Sequence, residues 1–208
     1  SKAVTITVTN VDDIAPAFTS ATTGTAAENQ NQLYTLLAHD SVDYTNGTVT
    51  YSLKAATGDV AALSINSSSG VVTLASGNLD YETKSSYSFT VIATDATGNA
   101  REQAVTITVT NVNESPTVTS SSSATFAENA TGTVYTVTGT DPDAGTTLSY
   151  SISGTDASLF DINSSTGVIT FKASPNYESP SDSGGNNVYD ITVTASDGSL
   201  TNSKAVTI

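Results

Sequence analysis

The chain has 208 residues, of which 20 are Asp or Glu and 6 are Lys or Arg, so its formal net charge at pH 7 is −14. Binding to nucleic acids or to anionic membranes depends on clustered Lys and Arg, so this charge excludes nucleic acids as natural partners and disfavours a membrane surface. The chain contains no Cys, so packing or metal ions rather than disulfides must stabilise its domains. It has no apolar segment of membrane-spanning length, and it opens on a strand pattern, which predicts a fragment of a longer protein.

A repeated strand pattern organises the chain. The first predicted strand, Ala3–Val11, reads Ala-Val-Thr-Ile-Thr-Val-Thr-Asn-Val, and the same nine letters return at Ala104–Val112. Their first four letters occur again at Ala205–Ile208. The period from Ala3 to Ala104 is 101 residues, which is the length of a small domain.

Between these copies, apolar residues alternate with polar ones at a period of two, as in residues 87–91 (Tyr-Ser-Phe-Thr-Val) and 189–193 (Tyr-Asp-Ile-Thr-Val). This alternation predicts half-buried strands, and no stretch shows helical periodicity. The turn clusters Asn66–Gly70 and Asn163–Gly167 each predict a β-hairpin. About seven short strands per period predict an all-β fold of two tandem Greek-key immunoglobulin-like β-sandwiches.

Two short linkers, Asp12–Pro16 and Asn113–Pro116, mark the predicted boundaries, because each follows a strand and ends in proline. Residues 1–15 are predicted to be the last strand of a preceding repeat plus its linker. Residues 16–114 form the first complete repeat, and residues 115–208 form a second repeat whose C-terminal linker is missing.

The acidic residues avoid the middles of the predicted strands and lie at strand ends or in linkers. Strand ends gather at the two poles of a sandwich, so acids from one domain's bottom and the next domain's top should converge on the linker. Two like charges about 4 Å apart repel by about 4 kcal/mol at an effective dielectric constant near 20. A divalent cation relieves such repulsion. Ca²⁺ fits best, because it takes roughly 6 to 8 oxygen ligands and the chain offers oxygen almost exclusively.

Several dispersed motifs occur in order along nearly the whole chain. They are Asn10–Pro16, Ala27–Asn29 (Ala-Glu-Asn), Leu79–Glu82 (Leu-Asp-Tyr-Glu), Phe160–Ile169 and Ala195–Gly198 (Ala-Ser-Asp-Gly). This set resembles the signatures of cadherin repeats. The Thr- and Ser-rich composition and the linker Thr110–Pro116 are similar to the bacterial branch of that family, found in large secreted adhesins and multimodular exoproteins. The resemblance implies cadherin-type sandwiches with Ca²⁺ between successive repeats.

Carried over by position, the resemblance implies three groups of Ca²⁺ ligands. At the central joint they are Glu28, Asp80, Glu82, Asn111, Asn113, Glu114, Asp141, Asp143 and Asp197. At the N-terminal joint they are Asp12, Asp13, Asp40, Asp43 and Asp95. A partial C-terminal site has Glu128, Asn176 and Glu178. Two of these positions depart from the family pattern, because Glu114 and Asn176 stand where Asp is expected.

The resemblance implies a calcium-rigidified extender or adhesion module of a large bacterial cell-surface or secreted protein. Neighbouring repeats of the same chain would be its partners, and no membrane insertion is expected. Two alternatives stay open: a module that binds a polysaccharide or a homophilic protein partner directly, and accessory repeats of a secreted multimodular enzyme. No catalytic or organic-cofactor site is predicted, because His39 is the only histidine and no nucleophile motif accompanies it. The insertion Ser179–Asn187 is predicted to be an exposed loop, with a private function as the alternative.

Overall fold

The computed structural model describes residues 2–40 and 47–208, and strands make up its regular structure apart from two 3-10 turns at Val60–Ala62 and Ala157–Leu159. The strands divide between two units, Ser1–Val112 and Asn113–Ile208. The predicted all-β class is confirmed. No helix of the described residues is long and apolar enough to cross a membrane.

The first unit has nine strands among its described residues. They are β1 (Ala17–Phe18), β2 (Thr23–Ala27), β3 (Gln32–Thr35), β4 (Ala38–His39), β5 (Thr50–Leu53), β6 (Leu63–Ile65), β7 (Val71–Leu74), β8 (Ser86–Thr94) and β9 (Ala100–Thr110). One sheet has the order β2-β9-β8-β5 and the other β3-β7-β6, while the two-residue strands β1 and β4 pair with each other. Strand β2 runs parallel to β9, and the other pairs are antiparallel.

The core of this unit lies between its two sheets. In β8 and in residues 105–110 of β9 every second residue is buried, which places Phe89, Val91 and Ile107 inside the core. Val72 of β7 and Leu33 of β3 belong to the same cluster and come from the facing sheet. Burial of each such aliphatic side chain contributes about 1.5–3 kcal/mol, and the predicted period-two pattern is confirmed.

The second unit repeats this plan with eight strands. They are β10 (Thr117–Val118), β11 (Thr133–Thr136), β12 (Gly139–Thr140), β13 (Ser149–Ser153), β14 (Phe160–Ile162), β15 (Val168–Phe171), β16 (Asp190–Ser196) and β17 (Thr201–Thr207). The sheets have the orders β13-β16-β17 and β11-β15-β14, and β10 pairs with β12. The core combines Ile191, Val193 and Val206 of one sheet with Phe160 and Ile169 of the other.

Both predicted hairpins form, β6–β7 and β14–β15. In the first, the Asn66 side chain accepts hydrogen bonds from the main-chain N–H groups of Ser68 and Ser69, and the turn ends at Gly70. Gly70 has φ +69°, and a Cβ there would lie 2.3 Å from the main-chain oxygen of Leu36. Glycine is therefore required both by the left-handed conformation and by the close approach of a neighbouring backbone.

The predicted strand Ala3–Val11 differs from expectation. Residues 2–16 belong to no strand, and Val4, Ile6 and Val8 are 81%, 84% and 90% exposed. An extended segment is stabilised as a strand only when a neighbouring strand accepts and donates its main-chain hydrogen bonds, and no described strand pairs with these residues. Its assignment to a preceding repeat stays a prediction.

The insertion Ser179–Asn187 is an ordered loop. The buried carboxylate of Asp182 accepts hydrogen bonds from the main-chain N–H groups of Asn186 and Asn187, each at 3.0 Å. These bonds, Asn186 first, hold the pKa of Asp182 below its usual value despite burial. The buried Asp156 accepts a further bond from the N–H of Ser183 at 2.8 Å. Two buried carboxylates thus fix the loop.

Candidate metal centre

A group of three carboxylates lies at one end of the first unit. Asp12 precedes β1, Asp40 follows β4 and Asp95 follows β8, and one carboxylate oxygen from each lies within 4.8 Å of the others. Asp40 and Asp95 are only 4% and 6% exposed. Three of the five residues predicted for the N-terminal joint are therefore brought together.

The loop after β8 holds Asp95 in place. Its Oδ1 atom accepts hydrogen bonds from the main-chain N–H groups of Thr97, Gly98 and Asn99 at 2.7–2.9 Å. Burial alone would raise the pKa of Asp95, but hydrogen bonds from Asn99 and Thr97 outweigh it and lower the pKa below its usual value. Asp95 is therefore an ionised carboxylate whose position is fixed by hydrogen bonds at this end of the unit.

The other two residues predicted for the N-terminal joint do not join this group. Asp13 is exposed and lies outside the three-carboxylate group. Asp43 falls outside the described residues. His39 is the exposed last residue of β4, as expected for a side chain at a strand end.

At the opposite end of the first unit, Glu28 is 4% exposed although it is charged. Its Oε1 accepts a hydrogen bond from the N–H of Val112 at 2.7 Å, and its Oε2 accepts one from the N–H of Tyr81 at 2.8 Å. Carboxylate oxygens of Glu28 and Glu82 lie within 4.8 Å of each other. Glu28 thus ties the end of β9 to the Leu79–Glu82 turn while remaining close to a second carboxylate.

Two other predicted ligands from this end face outward. Asp80 accepts hydrogen bonds from the N–H and hydroxyl of Thr83 at 2.8 and 2.9 Å, so it stabilises its own turn. Asn111 follows β9 and is exposed. Neither belongs to a group of converging carboxylates among the described residues.

The second unit begins with its own set of acids. The N–H of Glu114 donates to Oδ2 of Asp143 at 2.9 Å, and the N–H of Asp143 donates to Oδ1 of Asp141 at 2.9 Å. The side-chain amide of Asn113 donates to Oδ2 of Asp197 at 2.7 Å. The five residues predicted from this unit for the central joint are therefore linked to one another in two hydrogen-bonded groups.

The charge state of these acids suits a cation. Main-chain hydrogen bonds from Leu200 and Ser199, with one from the Asn113 amide, hold the pKa of Asp197 below its usual value. Oδ2 of Asp141 is buried and accepts no hydrogen bond from the part of the chain that the structure describes. A buried oxygen without a donor costs free energy unless an ion or water satisfies it, so this donor set fits a hard, oxygen-binding cation such as Ca²⁺.

The predicted C-terminal partial site is open to solvent. The N–H of Tyr177 donates to Oε2 of Glu128 at 3.1 Å, which repeats the bond between Tyr81 and Glu28. Asn176 accepts a hydrogen bond from the N–H of Glu178 at 3.0 Å. Glu128, Asn176 and Glu178 are all exposed, and they form no converging group among the described residues.

One residue of the site was not anticipated from the sequence. Asn99 donates its side-chain amide both to Oδ2 of Asp95 at 2.9 Å and to the main-chain oxygen of Asp12 at 3.1 Å. The available signal was local only, because an Asp followed four residues later by Asn in a Gly-containing loop predicts a side-chain-stabilised turn. The contact with Asp12, 87 residues away, depends on the tertiary fold.

The fold and the acid groups at strand ends define a class of protein, tandem immunoglobulin-like β-sandwich repeats with oxygen-rich clusters at their poles. The cadherin-domain family model matches residues 22–110 and 122–208, once in each unit. The chain therefore belongs to the cadherin family and contains two cadherin domains in tandem.

Relatives with curated sequences agree with this membership. Protocadherin Fat 4 of Homo sapiens is 34% identical over 187 residues, covering 84% of this chain and 4% of that protein. Protein dachsous of Drosophila melanogaster is 30% identical over 189 residues, covering 80% of this chain and 5% of that protein. The chain thus spans a small part of these relatives, which are animal proteins.

Solved structures share the fold. Human protocadherin-24 EC1-2 aligns with a TM-score of 0.63 at 21% identity, covering 94% of this chain and 95% of that chain. Mouse cadherin-23 EC22-24 aligns with a TM-score of 0.54 at 23% identity, covering 96% of this chain and 65% of that chain. The predicted cadherin-type sandwich is confirmed.

Proposed function

We propose that this chain is a calcium-rigidified pair of extender or adhesion repeats that acts outside the cell and has no catalytic role. Ca²⁺ would bind at the linker before each repeat and hold consecutive repeats in a fixed arrangement. Family membership supports the adhesion-type role, and the acid groups support the choice of cation.

The observation that carries the proposal is the convergence of Asp12, Asp40 and Asp95. Three carboxylate oxygens within 4.8 Å of one another, on side chains of which two are almost fully buried, repel each other at neutral pH. A surface selected only for solubility would spread such charges apart. The set is therefore best explained as half of a cation site whose ligands are all oxygen.

The residues at the boundary between the two repeats are hydrogen-bonded to acids of the repeat to which each residue belongs. Val112 donates its N–H to Glu28 of the first repeat, and the next residue, Asn113, donates its side-chain amide to Asp197 of the second repeat. Glu114 donates its N–H to Asp143. Within each repeat, an acid predicted as a ligand thus bonds directly to a residue at that repeat's own end of the boundary.

The protein's part in the mechanism is to hold anions close together. Main-chain N–H groups orient Asp95, Asp143 and Glu28, so that these side chains keep their position without a cation. A bound Ca²⁺ would neutralise the carboxylates and share their oxygens. Without it, repulsion between the carboxylates would loosen the linkers, so the joints would be stiff in extracellular calcium and mobile in chelator.

Calorimetric Ca²⁺ titration of the chain and of an Asp141→Ala/Asp143→Ala variant tests the assignment. We expect binding near 10⁻⁴–10⁻³ M, the range of extracellular modules, with loss of the central sites in the double variant. Asp161→Ala is the matched control, because Asp161 is an exposed acid in β14 and belongs to no converging group among the described residues. Absence of binding by the unaltered chain, or equal binding by the double variant, would refute the proposal.

Small-angle X-ray scattering tests the mechanical part. Chelator should shorten or broaden the distance distribution of the chain, because repulsion frees the linkers. An unchanged distance distribution would refute the extender role, but it would not contradict calcium binding.

Location and partners belong to the same proposal. Neighbouring repeats are the first expected partners, and placement at a cell surface or in a secreted protein follows from the cadherin family. The bacterial assignment stays a prediction based on the Thr- and Ser-rich composition and on the linker Thr110–Pro116, since the matched relatives come from animals. There are two alternatives. The repeats could bind a polysaccharide or a homophilic partner directly, or they could be accessory repeats of a secreted enzyme. Both alternatives would use the same linkers.

A further inference from the structure

The loop that follows β8 is braced to the preceding linker by one side chain. The Nδ2 atom of Asn99 lies 2.9 Å from Oδ2 of Asp95, 3.1 Å from the main-chain oxygen of Asp12 and 2.9 Å from the hydroxyl of Thr97. Asp12 and Asp95 are two of the three converging carboxylates. Asn99 therefore connects two members of the group that are far apart in the chain.

The surroundings determine which way the Asn99 amide points. A carboxylate oxygen and a main-chain carbonyl can only accept hydrogen bonds, so the NH₂ group and not the carbonyl of Asn99 must face them. An NH₂ group is also a poor ligand for a hard cation. Through its NH₂ group, Asn99 therefore acts on Asp12 and Asp95, two members of the site.

We infer that Asn99 is a positioning residue of the N-terminal cluster, which fixes the Asp12 main chain against Asp95 and presets the carboxylates before a cation arrives. This inference rests on the proposed calcium function. Holding the carboxylates in their bound arrangement lowers the ordering cost of binding. Residues that hydrogen-bond to metal ligands typically change metal affinity by 10- to 100-fold when they are removed.

In the second repeat, the corresponding aspartate, Asp197, accepts a side-chain amide hydrogen bond from a different part of the chain. Its loop after β16 is closed by Leu200, whose main-chain oxygen accepts from the N–H of Asp197, just as that of Asn99 accepts from Asp95. Leu200 has no side-chain amide to donate, and Oδ2 of Asp197 instead accepts its hydrogen bond from the side-chain amide of the linker residue Asn113. An amide donor thus meets the same carboxylate oxygen in both repeats, once from the loop and once from the linker. This recurrence favours a role in the site over a local turn contact.

The test is Asn99→Ala in the chain that carries Asp141→Ala/Asp143→Ala, so that calcium titration reports on the N-terminal cluster. Alanine keeps the main-chain bonds of residue 99, so a role limited to closing the loop would leave the affinity unchanged. We expect the dissociation constant for Ca²⁺ to rise by about 10-fold. The melting temperature in chelator shows whether the variant is folded.

Asn66→Ala in the same background is the matched control, because Asn66 stabilises a hairpin turn through its side chain but touches none of the three carboxylates. Its calcium affinity should equal that of the background chain. Equal affinity of Asn99→Ala and Asn66→Ala, with the background still binding Ca²⁺, would overturn the inference and leave the proposed function standing. A background chain and an unaltered chain that both fail to bind Ca²⁺ would overturn the two together.

Discussion

Replacement of Glu28 by alanine should destabilise the first repeat even without calcium. Its carboxylate accepts two short hydrogen bonds, from Tyr81 and Val112, at 2.8 and 2.7 Å. Hydrogen bonds to charged groups contribute about 1.5–3 kcal/mol each. Water can reach part of these donors in the variant, so we expect the lower end of the sum, a loss of about 3 kcal/mol from the free energy of unfolding.

The chain contains its own control at the equivalent position of the second repeat. Glu128 accepts one longer bond, 3.1 Å from the N–H of Tyr177, and its side chain is exposed. Glu128→Ala should therefore cost about 0.5 kcal/mol, as for most exposed substitutions. The comparison separates the buried bridging role of Glu28 from the mere presence of an acid in this motif.

Native-state hydrogen exchange in chelator can measure the two repeats separately, because core amides report the opening of their own unit. In Glu28→Ala the amide of Ile107 in β9 should exchange roughly 100-fold faster, which corresponds to about 3 kcal/mol. The amide of Val193 in β16 should be unaffected. A change below about 1 kcal/mol at Ile107, or an equal change in Glu128→Ala, would refute the reasoning.

Three further predictions concern stability. Gly70→Ala should lower the free energy of unfolding, measured by urea denaturation, by more than about 2 kcal/mol, and Gly77→Ala should lower it by about 1 kcal/mol. Both glycines have positive φ, but only at Gly70 would a Cβ press against a neighbouring main-chain carbonyl. Equal losses in the two variants would contradict this reasoning. Tyr51→Phe should lower the free energy of unfolding by about 2 kcal/mol, because the buried N–H of Ala38 donates to the Tyr51 hydroxyl at 2.9 Å and would lose its acceptor. A melting temperature equal to that of the unaltered chain would disprove this prediction. The pKa of Asp182 is lowered in the folded state, so its carboxylate stabilises the loop at every pH above the unfolded pKa near 3.8. Protection of the loop amides from hydrogen exchange should therefore be lost only as the pH falls through the lower folded pKa. Loss of protection already at pH 5 would refute this prediction.

Much of the fold follows from local patterns. The alternation at residues 87–91 and 189–193 specifies strands, because side chains on a pleated backbone point alternately inward and outward. The turn Asn66–Gly70 specifies a hairpin, because it combines a side chain that caps main-chain N–H groups with a glycine that adopts positive φ. Both signals act over a few residues, so they can be recognised without knowledge of the tertiary structure.

The candidate site was predicted less completely. Asp12, Asp40 and Asp95 lie close together, whereas the neighbouring Asp13 is exposed and Asp80 accepts hydrogen bonds within its own turn. Their role as Ca²⁺ ligands stays a prediction. Position in a motif places an acid near a strand end but does not determine the direction of its side chain. That direction depends on hydrogen-bond donors brought close by the fold, as the unanticipated contact of Asn99 with Asp12 illustrates.

The nonapeptide that occurs twice separates the two kinds of information. Its alternating Val, Ile and Thr residues determine a preference for extended structure, and this holds for both copies. In the copy at Ala104–Val112, pairing with β2 and β8 buries Val105, Ile107 and Val109 to 2% exposure or less. In the copy at Ala3–Val11, no described strand pairs with the segment and its apolar side chains are exposed. Sequence determines what a strand can bury, but only the tertiary structure supplies the neighbours that satisfy its main-chain hydrogen bonds and cover its apolar face.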